Sequence, residues 1–108
     1  MDGVHVTEAE SVLLEALWRC GPLPAQRLIA EVQAARSWGT ATIKTLLGRL
    51  MHKRIVRSER TDGLIRYRPL VDRRAYLEAE VKALVDRLFD GDPAGLAAFL
   101  TEGSSDKP

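Results

Sequence analysis

Apolar side chains recur over the first half of this chain at steps of three and four, then alternate with polar ones, then return to the helical step. The first helical run follows TEAE, where Thr7 stands three residues before Glu10 as a capping box, and spaces Val12, Leu13, Ala16, Leu17 and Cys20 before Gly21-Pro22 stops it. Cys20 lies on that stripe and is expected to be a packed thiol. Pro24 opens a shorter helix with Leu28, Ile29 and Val32 on one face. A third helix spans 40–52, with Thr40 placed to cap it and Ile43, Leu46, Leu47 and Leu50 as its core stripe.

The pattern then changes period. RIVRSER and LIRYRPL are two β-prone runs around the turn signal TDG, which predicts a hairpin over 55–69. Alternation places Leu64, Arg66 and Arg68 on one face and Ile65 and Tyr67 on the other, the buried side. Beyond it Tyr76, Leu77, Val81, Leu84, Val85, Leu88 and Phe89 resume the helical step; Gly91 can end that helix and Asp92-Pro93 start another through Leu100. The predicted fold is mainly α with a small β-hairpin wing. A winged helix-turn-helix over 1–70 precedes a helical dimerisation region over 71–102 and a disordered tail over 103–108.

The outward face of the third helix carries the candidate chemistry. At about 100° per residue, Ala41, Lys44, Thr45, Gly48 and His52 lie opposite the apolar stripe, with Thr42 and Arg49 on one shoulder. No acidic residue occurs from Ser37 to Arg57. Small side chains let a helix approach a groove, Thr and Lys reach phosphates and base edges, and a carboxylate there would repel a polyanion.

Charge sharpens this picture. The net charge of +1 hides a segregation into about −3 over 1–35, about +7 over 36–68 and about −3 over 69–108. A cationic third between acidic flanks is the footprint of a protein that meets nucleic acid with one face. Composition excludes other classes. A 45% hydrophobic chain of 108 residues builds one modest core. One cysteine and two distant histidines supply no zinc ligand set, so neither metal nor cofactor is expected. No phosphate loop, carboxylate pair or nucleophile with a base can be assembled, so the chain does not read as an enzyme. No run is long enough to span a bilayer and the N-terminus lacks a secretory pattern, so a cytoplasmic location is expected.

TEAE before a helix ending in LW, WGTATIKTLLGRLMHKRIV, RYRPLV and LFDGDPAGLAAFL together resemble the penicillinase-repressor (BlaI/MecI/CopY) family of bacterial transcriptional regulators. The resemblance runs over about residues 6 to 102, and its most specific parts are Trp38, TIKTLLGRL and the order of the elements. It implies a homodimeric winged-helix repressor of inverted-repeat operators, typically with TACA/TGTA-like half-sites, paired through its C-terminal helices. It puts Thr42, Lys44, Thr45 and Arg49 at the DNA and the wing around Arg60 to Arg66 beside it.

The candidate DNA-binding residues are Thr40, Thr42, Lys44, Thr45, Arg49, Arg60, Arg66 and Arg68. The candidate dimerisation residues are Tyr76, Leu77, Val81, Leu84, Val85, Leu88, Phe89, Leu96, Phe99 and Leu100. Expected partners are double-stranded operator DNA and a second copy of the chain, with no membrane; a sensor protease is left open. The alternative reading is a winged-helix protein-interaction module without sequence-specific DNA binding. Three departures from the family pattern stand out. Arg54 replaces the usual Gly after the recognition helix, at a cost of about 1 kcal/mol if its φ is positive. Phe99-Leu100 stands where β-lactam-responsive members carry a scissile Asn-Phe, so release by that cut is not expected. The C-terminal cysteine cluster of copper-responsive members has no counterpart after Cys20.

Overall fold

A computed structural model of the protein describes residues 5–105. Their elements are α1 (Glu8–Cys20), α2 (Ala25–Ala35), α3 (Thr40–His52), β1 (Val56–Thr61), β2 (Leu64–Pro69), α4 (Arg73–Leu88) and α5 (Pro93–Ser105). The chain divides between Arg73 and Arg74 into two compact units.

The first unit packs α1, α2 and α3 against one another and against the hairpin. Leu13 and Leu17 from α1, Leu28 and Val32 from α2, and Ile43 and Leu50 from α3 are at most 1% exposed, as their spacing prescribes; Leu14, outside the expected α1 stripe, is buried with them, while Val12 is half-buried. Ile55 and Val56 close the core from the wing side. Burying a leucine fully is worth about 1.5 to 3 kcal/mol, so these side chains dominate the unit's stability. β1 and β2 pair antiparallel from Val56↔Pro69 to Thr61↔Leu64. Asp62 (φ 57) and Gly63 (φ 75) form the two-residue turn, the double positive φ whose twist matches a hairpin. Leu23 and Tyr67 exchange backbone hydrogen bonds of 3.2 and 2.8 Å, tying β2 to the segment between α1 and α2.

Both ends of the α1–α3 pair are fixed by specific polar contacts. The capping box forms: Thr7 Oγ1 accepts from Glu10 N at 3.1 Å and Glu10 Oε1 accepts from Thr7 N at 3.0 Å. The same Glu10 Oε1 accepts from Lys53 Nζ at 2.6 Å, although Glu10 is wholly buried. At the end of α3 the amides of Arg54 and Ile55 donate to Met51 O and Leu50 O at 3.0 and 2.9 Å, a Schellman closure with Arg54 (φ 63) at its left-handed position. An arginine there is strained by about 1 kcal/mol relative to glycine.

Four expectations are corrected. Gly39, not Thr40, is the N-cap of α3; Thr40 is already helical and no side chain caps the end. Cys20 is exposed, because it is the last residue of α1 and the chain turns away at Gly21 (φ 84). Ile65 is 40% exposed, since the hairpin tip projects past the core and only its base has a buried side. Finally, α5 continues to Ser105, so residues 103–105 of the expected tail are helical, while 106–108 lie outside the described residues. Asp92 Oδ1 accepts from Ala94 N at 3.0 Å and so starts α5 as a cap.

Burial raises the Glu10 carboxyl pKa, but the hydrogen bonds from Lys53 and Thr7 and the Lys53 charge outweigh it and hold it below its ordinary 4.5. A depressed folded-state value contributes stability that is complete above about pH 4.5 and is lost as pH falls through the folded value. Glu10→Gln, which leaves Lys53 facing a neutral partner, should destabilise the protein by about 1.5 to 3 kcal/mol at neutral pH. In urea unfolding at a series of pH values, the gap between the two proteins should narrow on acidification below that point; a constant gap would show that the charge on Glu10 contributes nothing.

Candidate nucleic-acid interface

The burial of one α3 stripe dictates what the helix shows outside. With Ile43, Leu46, Leu47 and Leu50 turned inward, Thr40, Ala41, Thr42, Lys44, Thr45, Gly48, Arg49 and His52 are all exposed. No carboxylate interrupts them, and Lys44 and Arg49 make no side-chain hydrogen bond or ion pair among the described residues. Gly48 is the least expected member. A methyl group added there would meet nothing within 4 Å, while a glycine inside a helix costs about 1 kcal/mol against alanine. No packing among the described residues requires it. What an absent side chain leaves on an outward face is room for another surface to come close to the backbone.

The hairpin register sorts the wing side chains. Arg57 faces Arg68 and Glu59 faces Arg66 across the strands, so these four share one face, whereas Arg60 pairs with Ile65 on the other. Two expected DNA residues of the wing, Arg66 and Arg68, are therefore together and Arg60 is apart from them. Glu59 lies among the arginines: its Oε2 accepts from Arg57 Nη2 at 2.8 Å and its Oε1 meets Arg68 Nε at 3.2 Å. The Arg57 hydrogen bond, with the charges of Arg68 and Arg57, holds the Glu59 carboxyl below the usual glutamate range. It is an anion at neutral pH.

The nine basic residues of 36–68 are consequently not equivalent. Lys53 is spent on Glu10, Arg57 and Arg68 on Glu59, and Arg36 lies over the Trp38 ring at 5.7 Å. Lys44, Arg49, Arg54, Arg60 and Arg66 remain without a side-chain partner among the described residues. A cleft of about 570 Å³ brings His52 and Arg54 to Arg57 and Ser58, with Met51, Val56 and Leu70 as its apolar wall. A formal count includes Glu59 and Glu10 but does not show which cations they hold. Glu59 was readable, because it shares a strand face with Arg57 two residues away; Glu10 was not, because Lys53 lies 43 residues distant.

In the second unit the expected dimerisation residues divide by exposure. Leu77, Val81, Leu88, Phe99 and Leu100 are 37, 47, 59, 61 and 58% exposed. Tyr76, Leu84, Phe89 and Leu96 are half-buried. Val85 is buried within the protomer, at 5%, and is not offered to a partner. The rings of Phe89 and Phe99 lie 6.0 Å apart at 51°, and Gly95 leaves space beside Phe89 where a Cβ would come to 3.2 Å.

Comparison with known proteins places this arrangement. A family profile described as "Penicillinase repressor" matches residues 6–107. The penicillinase repressor of Bacillus licheniformis is 23% identical over 87 residues, covering 81% of this chain and 68% of that protein. An uncharacterized 16.5 kDa protein from the ptsI 3' region of Latilactobacillus sakei is 29% identical over 84 residues, covering 78% of this chain; this chain spans only 58% of its length. Among solved structures, the solution structure of the DNA-binding domain of the repressor BlaI superposes with a TM-score of 0.59 at 23% identity, over 68% of this chain and 90% of that domain. That likeness establishes the winged-helix fold. With nearly the whole sequence covered by the family profile, the chain belongs to the penicillinase-repressor family.

Proposed function

We propose that this protein is a homodimeric transcriptional repressor that reads an inverted-repeat operator with α3 in the major groove and the β1–β2 wing along the flanking backbone. The observation that carries the reading is the outer face of α3: exposed, free of carboxylates, with unpartnered Lys44 and Arg49 flanking a glycine that no packing among the described residues requires. The names of the relatives, a penicillinase repressor and the DNA-binding domain of BlaI, support the same function. Thr40, Thr42 and Thr45 add hydroxyls to the face that Lys44 and Arg49 charge. Arg66 is the wing cation best placed for phosphate, since Arg68 shares Glu59 and Arg60 lies on the other face.

The proposed pairing is supported by α4. Leu77, Val81, Leu84 and Leu88 recur at steps of four, three and four, which confines them to an arc of about 60° on the helix, the narrow seam of a coiled coil rather than the wide stripe of a helix covered by its own chain. Three of the four are exposed and the fourth is half-buried. A second copy would cover the seam, with Phe99 and Leu100 of α5 adding apolar area. Two linked recognition helices then gain by effective concentration what one half-site cannot supply.

Selecting bound fragments of the source genome with purified protein tests the reading directly: enrichment of a two-fold symmetric site is the expected result, and salt-sensitive binding with no sequence preference would refute it. On the selected operator, Lys44→Ala should cost about 1 to 3 kcal/mol and relax the preference at one position. Arg66→Ala should instead weaken all duplexes alike and lower the salt slope by about one unit. Unchanged operator affinity for both folded variants would remove these residues from the interface.

Gly48→Leu separates folding from binding. It should raise the melting temperature, because leucine forms helix better by roughly 0.8 kcal/mol and its Cβ would have nothing within 4 Å. It should also abolish operator binding measured by fluorescence anisotropy. Retained affinity would show that nothing approaches α3 closely at this point.

Leu88→Glu probes assembly. At 59% exposure the charge costs the protomer little, but buried in a dimer without a partner it costs several kcal/mol. Sedimentation at micromolar concentration should show a wild-type dimer and a monomeric variant whose first unit stays folded, with weakened operator binding; a monomeric wild type would refute the paired form.

A further inference from the structure

Glu59 is an unusual choice for its position. Asp62, the other acid of the cationic stretch, has a conformational reason, since it holds a left-handed turn position that Asp tolerates. Glu59 has none. It stands in mid-strand, where glutamate is among the weaker formers and threonine or valine would serve better. What it does have is geometry: one carboxylate oxygen toward Arg57 at 2.8 Å, the other toward Arg68 at 3.2 Å, with Arg66 directly across the ladder. One negative charge shared over two oxygens and held by two guanidinium groups is also how a phosphodiester meets arginines. Arg57 and Arg68 themselves remain 60% and 47% exposed, so an outside anion can reach both.

We infer that Glu59 is an internal stand-in for DNA phosphate that moderates the wing's grip on the backbone. This rests on the DNA-binding reading above. In the free protein the carboxylate occupies Arg57 and Arg68. On a duplex, a phosphate must displace it, and each arginine–phosphate contact is worth less by the ion pair given up. The effect acts on every sequence alike, because phosphates carry no sequence information. Sequence-independent affinity is thereby held down while the base contacts of α3 are untouched, so residence on DNA depends more on reading the site. A purely structural salt bridge would predict the opposite: losing the carboxylate would disorder the arginines and weaken DNA binding.

The experiment measures affinity for a nonspecific duplex by fluorescence anisotropy across a salt series, for the wild type, Glu59→Gln, Arg57→Ala and the double variant, with circular dichroism melts confirming that each is folded. Glu59→Gln should bind more tightly, by about two- to fivefold for each arginine released, the worth of an exposed ion pair, and the gain should shrink as salt screens the pairs. Arg57→Ala should cost more affinity in the Gln background than in the wild type. Weaker or unchanged binding by Glu59→Gln, with the wild type binding normally, overturns the inference and leaves the DNA reading standing. If neither protein binds duplex at the lowest salt, the DNA reading itself falls, and this inference with it.

Discussion

The turn Lys53-Arg54-Ile55 is the constraint on which the first unit depends. Within three residues the chain ends α3, reverses direction and enters the wing, and each residue is held by a different force. Lys53 reaches the buried Glu10 at the start of α1, Arg54 takes the left-handed conformation, and Ile55 is buried at 4% with its amide on Leu50 O. The Leu70 amide then donates to Ile55 O at 2.7 Å, which returns β2 to the same point. The angle between α3 and the hairpin is therefore not left to a flexible connection. A left-handed arginine persists only when its surroundings over-determine it, and here the ion pair and the burial of Ile55 do so.

The distribution of charge then acquires a division of labour. Cations on α3 have no carboxylate partner among the described residues, so their field is directed outward. Lys53 at the core edge and Arg57 and Arg68 on one wing face are partnered within the chain. A formal count treats these groups as equal, yet an exposed pair such as Arg68–Glu59 contributes little field beyond a Debye length of about 10 Å. The cations left without a partner among the described residues are Lys44 and Arg49 on α3, Arg54 just beyond it, and Arg60 and Arg66 on the wing. Coincidence of charge, small side chains and absence of acid on one helical face is what distinguishes it from an ordinary solvated surface.

Local signals were legible in the sequence and long-range ones were not. The capping box at Thr7, the leucine stripe of α3 and the Asp62-Gly63 turn are encoded within a few residues, and all three occur as read. The failures share a cause. Cys20 lies on an apolar stripe, but a stripe tells which side faces inward and not how far along the helix the covering elements extend. Ile65 alternates correctly, yet the hairpin outruns the core. Gly39 rather than Thr40 caps α3, a shift of one position that residue preference cannot resolve because glycine and threonine rank alike there. Nothing local to Lys53 shows that its partner, Glu10, lies in α1.

The second unit obeys a different rule from the first. Its longest helix, α4, has sixteen residues and one buried side chain, Val85. A helix of that length is marginal in water without a covered face. For a homodimer, order in α4 and association would then be a single equilibrium, with the helix gaining its stability from the copy that covers Leu77, Val81, Leu84 and Leu88. Such coupling has a consequence for control. Anything that binds, modifies or displaces this seam would change how many recognition helices are linked, and so the avidity for a symmetric site, without altering a single residue of α3. In such a homodimer the first unit would remain the reader proposed above while the second carried the response.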